Sequence, residues 1–266
     1  MAMLNLECGE YLGSTRRKYD ADGVVVSEIE YHERVFEGWH FHKNRHITFI
    51  VSGGNREQRK HAEVEASPGA VMIYNSGELH RNLNTVHPSK NINIEIDDVF
   101  FVNYSLDPSS FQTLSPENHE LRLSALKAYR ECLVDDANSI LAIHAILLNL
   151  LGPHRRDRMS HERPPWVRRV RDAIHDRWDE KLSLKELSLV AGVHPVTISK
   201  KFPKYFTCSL GDYIRRVKIE KSLCLIKQKH TTLTEVAFRS GFADQSHFIR
   251  TFKAATGFLP KEFKKL

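Results

Sequence analysis

The C-terminal part of this chain contains one sequence pattern twice, and this repeat constrains the fold more than any other feature. The first copy consists of Ser183, Leu184, Glu186, Leu187, Ser188, Ala191, Gly192, Ile198 and Phe202. The second copy consists of Thr232, Leu233, Glu235, Val236, Ala237, Ser240, Gly241, Phe248 and Phe252. Matched positions lie 49 residues apart up to the glycines and 50 residues apart after them. Such a period indicates that the chain uses one supersecondary unit twice.

Each copy carries the signals for two short helices joined by a tight turn. Ser183 with Glu186, and Thr232 with Glu235, have the spacing of a capping box, which satisfies two backbone donors and begins a helix. The glycine that follows allows a sharp turn, and the apolar residues after it can anchor a second helix. We therefore expect two helix-turn-helix motifs, which we call the first and second repeats.

Charge divides the chain into two halves of opposite sign. Residues 163–266 contain 22 Lys and Arg against 10 Asp and Glu, a net charge of +12, whereas residues 1–162 contain 17 against 23, a net charge of −6. Lys and Arg that neutralise phosphates release the counterions condensed on them. A solvated basic surface is the alternative when charge is considered alone. Basic charge on a doubled helix-turn-helix favours double-stranded DNA as the partner.

Length and composition indicate a globular chain. With 266 residues, of which 41% are hydrophobic, it has the size of about two domains. No apolar run approaches the roughly 20 residues of a membrane span, and the first residues lack the pattern of a secretory signal. The cysteines are far apart and form no CxxC pair; they are Cys8, Cys132, Cys208 and Cys224. This usage favours reduced thiols, so we expect a cytoplasmic protein without a membrane partner.

Residues from about Asp20 to Tyr104 have the pattern of short β-strands separated by turns. The β-branched runs are residues 23–27, 47–51, 70–74 and 91–96. Segments such as 52–55 and 75–77, which lie between them, are rich in Gly, Asn and Ser. Many short strands with frequent turns favour a small barrel or sandwich, which we assign to residues 1–115.

Residues 116–151 have the pattern of two helices, and the second is unusually apolar. Its apolar residues are Ile140, Leu141, Ile143, Ile146, Leu147, Leu148, Leu150 and Leu151. A helix that is apolar on more than one face needs more than one covering surface. It can pack both on the strands and on a second protomer, which would give a homodimer, or on a single internal face. The polar segment 152–164 has the composition of an interdomain linker.

The region 165–266 is predicted to be all helical and to hold both repeats. Pro165 stands where a first-turn proline belongs. Between the repeats, Ser209 can cap a long helix that runs to about Gln228. Such a helix spans about 28 Å, and successive major grooves on one side of DNA are roughly 34 Å apart. The second helices of both repeats can therefore enter the same face of one duplex.

The run LTEVAFRSGFADQSHFIRTFKAATGFLP, residues 233–260, resembles the hallmark of the AraC/XylS family of bacterial transcription regulators. The similarity covers about residues 165–266. It implies two helix-turn-helix motifs joined by a long helix and inserted into adjacent major grooves. It implies that the base-reading positions are Val196, Ser199, Lys200, Gln245, Ser246, His247 and Arg250. It also favours activation of transcription through contact with RNA polymerase.

These positions differ in what they can read. Gln245 can pair bidentately with adenine, and Arg250 can pair bidentately with guanine. Val196 offers only apolar contact, for instance to a thymine methyl group. Lys200 can equally bind a phosphate, which positions the protein without specifying a base.

The first repeat departs from the family pattern at three positions. It has His194 where the family usually caps with Ser, Pro203 just after an anchor, and Thr207 where the second repeat has Gly257. A weaker cap and a missing glycine predict that the helices of the first repeat are held less rigidly than those of the second. We therefore expect the second repeat to carry most of the sequence discrimination.

The N-terminal region contains histidines at spacings that resemble the two motifs of the cupin barrel. His40 and His42 lie on one face of a strand, because side chains alternate along strands, and His46 and His80 follow. In metal-binding cupins these four positions are the ligand positions, with His46 here in place of the usual glutamate. Neutral imidazoles suit Zn, Fe, Ni or Cu, so a divalent metal is one use of this set.

The use that we favour requires no metal and no other cofactor. It is a pocket for a small-molecule effector, in which imidazoles act as hydrogen-bonding or pH-sensitive groups. The residues that we expect to line this pocket are His40, His42, His46, His80, Trp39 and Tyr74.

Three classes of function fit these features. A ligand-responsive transcription regulator accounts for all of them. A metal-dependent cupin enzyme with a DNA-binding appendage ranks lower, because no general acid or base stands out near the histidines, and we expect no enzymatic activity. An architectural DNA binder differs from the regulator in its specificity ratio. The expected fold is α+β and multidomain, with a cupin-like β-barrel, then helices, then an all-α double helix-turn-helix.

Overall fold

The structure is a computed structural model that describes residues 3–116, 119–152, 164–206, 208–228 and 230–266. The chain divides into two compact units, residues 1–155 and residues 156–265. We call them the N-terminal unit and the C-terminal unit. Of the predicted linker 152–164, only Gly152 and Pro164 belong to the described residues.

The N-terminal unit begins with short strands. They are β1 (Leu4–Leu6), β2 (Ser14–Asp20), β3 (Val24–Tyr31), β4 (His40–His42), β5 (Arg45–Ser52), β6 (Asn55–Arg59), β7 (Glu63–Ala66), β8 (Val71–Tyr74), β9 (His80–Leu83) and β10 (Ser89–Ile96). The β-branched runs expected to be strands are strands, and they form β3, β5, β8 and β10.

These strands form two five-stranded sheets. One sheet has the order β1-β4-β9-β6-β7 and the other has the order β2-β3-β10-β5-β8. Among the described residues, hydrogen bonds do not join the sheets into one closed barrel, so the predicted barrel is corrected to two sheets. The strand β2 is an edge strand of one sheet, and β7 is an edge strand of the other. Both strands are largely exposed, so in the part of the chain that the structure describes their edges do not pair with each other to close a barrel.

Two local predictions for this region were wrong. The strands begin before Asp20, because the polar segment Ser14–Asp20 forms β2. An exposed edge strand does not need the apolar residues that mark a buried one. The segment Asp98–Asn103 is a helix rather than a strand, and Asp97 caps it by accepting hydrogen bonds from the backbone of Val99 and Phe100.

The remaining elements are helices. In the N-terminal unit they are α1 (Asp98–Asn103), a 3₁₀ helix (Pro108–Thr113), α2 (His119–Val134) and α3 (Ser139–Leu151). In the C-terminal unit they are α4 (Pro165–Asp176), α5 (Leu184–Ala191), α6 (Pro195–Phe206), α7 (Leu210–Lys227), α8 (Leu233–Arg239), α9 (Gln245–Thr256) and α10 (Pro260–Lys265). No helix among the described residues has the length and apolar character needed to cross a membrane.

The helix α2 packs against α3 and on the sheet that contains β3 and β10. Tyr129 of α2 donates a hydrogen bond to the buried carboxylate of Glu28 on β3. On α3, Ile143 and Leu147 are fully buried, whereas Leu141 is 67% exposed. One face of α3 therefore packs internally, and an apolar residue remains on the other face.

Helix caps in the C-terminal unit agree with the sequence prediction. Ser183 and Thr232 each form a complete capping box with the glutamate three residues later. Ser209 caps α7 by accepting a hydrogen bond from the backbone N–H of Asp212. With 18 residues, α7 is about 27 Å long, close to the predicted length.

Candidate nucleic-acid interface and ligand cavity

The second helix of each repeat begins directly after a left-handed glycine turn. Gly192 has φ 67° and Gly241 has φ 69°. In the second repeat, Asp244 caps α9 by accepting a hydrogen bond of 2.7 Å from the backbone N–H of His247. In the first repeat, the backbone N–H of Val196 donates to Nδ1 of His194 at 3.3 Å. The imidazole therefore caps α6, but with a longer hydrogen bond than the carboxylate makes.

Apolar anchors fix the orientation of both second helices. Ile198 and Phe202 on α6, and Phe248 and Phe252 on α9, are completely buried. Because residues three or four apart share one helix face, each anchor pair turns the opposite face of its helix to solvent.

The predicted base-reading residues lie away from these anchors. On α6, Val196, Ser199 and Lys200 are exposed, and on α9, Ser246 and Arg250 are exposed. This placement makes these five side chains accessible to a groove, and their contacts with bases stay a prediction.

The other two predicted residues are half-buried because each contacts a neighbour. Oε1 of Gln245 accepts a hydrogen bond of 2.6 Å from the hydroxyl of Thr234 on α8. The ring of His247 lies edge-on to Phe242, with 5.3 Å between centroids. The first repeat has Lys185 and Pro195 at the positions of Thr234 and Gln245, so it has no equivalent of this hydrogen bond.

The helix α6 continues through Pro203 to Phe206. Its last turn is held by aromatic stacking, since the rings of Phe202 and Phe206 lie 4.2 Å apart and the rings of Phe206 and Tyr213 lie 4.7 Å apart. This packing offsets the backbone hydrogen bond that a proline removes. Thr207, where the glycine of the second repeat is missing, lies outside the described residues.

A second candidate site lies in the N-terminal unit, where histidines from both sheets meet. His40 of β4 pairs with His80 of β9, and His46 of β5 pairs with Tyr74 of β8. One ring nitrogen from each of His40, His42 and His80 lies within 4.8 Å of the others. The structure thus brings together these three predicted residues, and the ring of His46 lies 4.3 Å from that of His42.

These imidazoles are held in the neutral form. Burial lowers the pKa of His40 to about 4, of His42 to about 3 and of His80 to about 4, and it places the pKa of His46 well below its usual range. Backbone carbonyls orient two of them, because Nδ1 of His40 lies 3.1 Å from the oxygen of Gly38 and Nδ1 of His80 lies 2.9 Å from that of Glu78. In the neutral tautomer that donates from Nδ1, Nε2 is free to accept or to coordinate.

A small polar cavity adjoins the histidines. Its volume is about 20 Å³, room for roughly one water-sized group. Besides His42, His46, Tyr74 and His80, the residues that line it are Tyr11, Tyr31, Thr48, Ile50, Asn55, Met72, Asn82, Asn91 and Asn93. Within the described residues, side-chain amide atoms of Asn55, Asn82, Asn91 and Asn93 are buried without a hydrogen-bond partner. Buried polar atoms of this kind can bond to water, an ion or a polar ligand in the cavity.

These asparagines have no motif that predicts a binding site. The alternation of Asn91, Asn93 and Glu95 with Ile92, Ile94 and Ile96 along β10 marks a strand with two different faces. By itself the pattern predicts a polar face in water. In the structure the apolar face is buried, and Asn91 and Asn93 of the polar face line the cavity.

Tyr74, which lines the cavity, belongs to a hydrogen-bond network. The hydroxyl of Tyr74 donates to the carboxylate of Glu57, which is fully buried. Arg59 donates to Glu57 at 2.6 Å and to Glu78 at 2.7 Å. Burial raises the pKa of Glu57 despite the neighbouring guanidinium. This network holds the phenol of Tyr74 against His46, with the rings stacked 4.2 Å apart.

Trp39 does not join the other predicted pocket residues. Its indole is half-buried, and the guanidinium of Arg81 lies 5.1 Å from its ring. Adjacent side chains on an extended segment point to opposite sides, so Trp39 faces away from the side on which His40 and His42 lie.

Acidification is expected to destabilise the N-terminal unit. In the unfolded chain these histidines bind protons near their ordinary pKa of 6.5, whereas in the folded chain His40 and His80 stay neutral down to about pH 4. Between these values the unfolded state binds more protons, so the free energy of unfolding falls as pH falls, by up to about 1.4 kcal/mol per group and pH unit. Urea unfolding between pH 7 and pH 4 measures this, and His80→Gln should flatten the dependence. A midpoint that does not move between pH 7 and pH 5 contradicts the expectation.

Comparison with known proteins identifies the C-terminal region. Residues 187–266 match the family model described as a helix-turn-helix domain. Over 90 residues the chain is 28% identical to an uncharacterized HTH-type transcriptional regulator, YpdC of Escherichia coli; the match covers 34% of this chain and 32% of that protein. It is 26% identical over 117 residues to the bifunctional transcriptional activator/DNA repair enzyme AdaA of Bacillus subtilis, covering 43% of this chain and 56% of that protein. The matches thus cover about a third to a half of these relatives.

Among solved structures, the chain is similar to the C-terminal domain of AraT, a response regulator from Geobacillus stearothermophilus. The two are 26% identical, and the match covers 38% of this chain and 85% of that one, with a TM-score of 0.36. The matched residues include the second capping box and the buried anchors of both repeats. Residues 187–266 of this chain therefore form a helix-turn-helix domain.

Proposed function

We propose that this protein is a sequence-specific DNA-binding transcription regulator, and an activator, whose N-terminal unit responds to a small ligand. The observation that carries the proposal is the pair of helices α6 and α9. Each follows a glycine turn, buries two apolar anchors and presents an accessible polar face. The similarity to transcriptional regulators supports the same conclusion.

Double-stranded DNA is the proposed partner. The seven proposed reading residues Val196, Ser199, Lys200, Gln245, Ser246, His247 and Arg250 lie on these two helices. Exposed lysines flank them, including Lys201, Lys204 and Lys253. Lysines beside a reading helix bind phosphates and fix its register, while amide and guanidinium groups read base edges.

Selection of bound sequences from a random duplex pool tests this proposal. We expect the wild-type protein to enrich two short motifs about one helical turn apart. Enrichment of no sequence, with equal binding to all duplexes, would instead fit the architectural class. Salt dependence does not separate these two classes, because both neutralise phosphates.

The second repeat is proposed to supply most of the discrimination between sequences. We expect Arg250→Ala to relax base preference at one position of the selected motif by about 1 to 3 kcal/mol, as for a lost bidentate guanine contact. Lys200→Ala should weaken binding to all sequences more evenly. Affinities for the selected duplex and its single-base variants measure both effects. A larger loss of preference in Lys200→Ala than in Arg250→Ala contradicts this assignment.

The proposed effector site is the polar cavity of the N-terminal unit. The amide atoms without a hydrogen-bond partner and the neutral imidazoles favour an uncharged polar ligand. Because the cavity holds only about 20 Å³, an organic effector must displace side chains on binding. Such a ligand changes DNA binding only if its affinity differs between two states of the protein. Repeating the selection with cell metabolites tests for such an effector.

Two further contacts belong to the proposal. Activation requires contact with RNA polymerase, which the family resemblance implies. Assembly as a homodimer is supported by α3, where the apolar side chains of Ile140 and Leu141 are 37% and 67% exposed. Light scattering of the wild-type protein and of Leu141→Lys tests the dimer, because a buried charge at an interface weakens association.

A metal ion is the second candidate for the cavity ligand, and one observation favours it. Three neutral imidazoles with ring nitrogens within 4.8 Å of one another form a set of nitrogen donors suited to Zn²⁺, Ni²⁺ or Cu²⁺. The backbone carbonyls next to Nδ1 of His40 and His80 match the groups that orient metal-binding imidazoles in known sites. His40, His42 and His80 would hold such an ion, with His46 beside them.

A further inference from the structure

We propose that Lys218 sets the distance and rotation between the two repeats, and so makes the protein selective for the spacing of its two DNA motifs. This inference rests on the proposed function. Lys218 lies midway along α7, the helix that joins the repeats, and its side chain is only 7% exposed.

The ammonium group of Lys218 connects segments that are distant in the chain. Its Nζ donates to the backbone oxygen of Glu180 at 3.0 Å and to that of Gly241 at 2.8 Å. Glu180 lies in the loop between α4 and α5, directly before the first repeat, whereas Gly241 is the turn between the helices α8 and α9 of the second repeat. We call the group of Asp179, Glu180, Lys218 and Gly241 the Lys218 clamp.

The segments of the clamp are in close contact. A Cβ added to Gly241 would lie 2.2 Å from the backbone oxygen of Asp179 and 2.4 Å from Nζ of Lys218. Only a residue without a side chain allows this approach. The turn that begins the reading helix α9 is therefore held directly against the loop that precedes the first repeat.

A buried lysine with two carbonyl partners is a directional contact. Burial lowers the pKa of Lys218, and hydrogen bonds from a charged donor are stronger than those between neutral groups. Apolar packing tolerates small rotations, but two hydrogen bonds to fixed carbonyls do not. The clamp therefore fixes the start of α9 relative to the first repeat.

This geometry has a consequence for DNA. One inserted base pair moves the second motif by about 3.4 Å and rotates it by about 34°. A protein with a fixed angle between its reading helices loses contacts on such a duplex. A protein without the clamp can follow the displaced motif with its second repeat.

The test uses the full chain, the duplex that wild-type protein selects, and the same duplex with one base pair inserted between its motifs. For wild type we expect the insertion to weaken binding by about tenfold or more, since it breaks contacts of one repeat. For Lys218→Met we expect a penalty of less than about threefold, because the charged hydrogen bonds are lost. Lys218→Arg, which keeps a cationic donor, should restore most of the penalty.

Two controls separate the clamp from general effects. Lys221→Met removes an exposed lysine of the same helix, so it should lower affinity for both duplexes without changing their ratio. A duplex with only the motif of the second repeat should bind wild type and Lys218→Met equally. If Lys218→Met does not fold, Lys218→Gln keeps one amide donor and should give an intermediate penalty.

The outcomes are distinguishable. If wild type selects no paired motif, the proposed function and the clamp both fail. If wild type selects a paired motif and the Lys218 variants keep the full insertion penalty, only the clamp fails. A loss of spacing preference in Lys221→Met equal to that in Lys218→Met also overturns it.

Discussion

Gly241→Ala is expected to lower the free energy of unfolding of the C-terminal unit by about 3 kcal/mol or more, because it adds both strain and overlap. With φ 69°, Gly241 has left-handed backbone geometry, which costs a residue with a Cβ roughly 1 kcal/mol. The added Cβ would also lie 2.2 Å from the backbone oxygen of Asp179. Since backbone cannot move away as a flexible side chain can, the second repeat must shift.

The repeat itself supplies the matched control. Gly192 occupies the equivalent position in the first repeat and has nearly the same geometry, with φ 67°. There the nearest atom to an added Cβ is Nη2 of Arg169 at 3.8 Å, an ordinary contact. Gly192→Ala should therefore cost only the strain of about 1 kcal/mol.

Urea unfolding followed by the helical circular dichroism signal measures both variants. We also expect Gly241→Ala to lose the preference for paired motifs, whereas Gly192→Ala should keep it. Equal costs for the two substitutions would mean that the contact with Asp179 does not contribute. Because the chain has two compact units, the transition must be assigned to the C-terminal unit before energies are compared.

The parts of this fold that sequence predicts well are those with local signals. The capping boxes at Ser183 and Thr232 involve residues only three positions apart, so their spacing alone identifies them. The anchors follow the helical period for the same reason. The polar strand β2 has no such signal, since its place in a sheet depends on pairing with β3.

For the histidine cluster too, the sequence predicts the residues that belong to a motif and not their partners. The resemblance to the cupin motifs identified His40, His42 and His80, and the structure places them on two paired strands of one sheet. The partners of these residues come from elsewhere in the chain. Asn93 and Tyr11 reach the cavity through the packing of two sheets, and Lys218 meets Gly241 through the packing of three helices. Contacts of this kind carry no periodic pattern in a single sequence.

Replacing one histidine of the cluster is expected to reduce affinity for a divalent metal by at least about a hundredfold, if the cavity holds a metal. Changes to outer groups that merely orient a metal ligand lower metal affinity by about 10- to 100-fold. His80→Asn goes further, because it removes one of the three nitrogens that lie within 4.8 Å of one another. The probes are Zn²⁺ and Ni²⁺ alone, titrated against a chelator of known affinity.

His61→Asn is the matched control, because His61 is exposed in the turn between β6 and β7. It should bind the metal as wild type does. Protons should compete with the metal only as pH approaches about 4, because His40 and His80 have a pKa of about 4, whereas at a site of ordinary histidines this competition begins near pH 6.5. If His80→Asn and His61→Asn bind Zn²⁺ and Ni²⁺ equally, the cluster is no metal site, and the buried amides of Asn91 and Asn93 leave a polar organic ligand as the occupant.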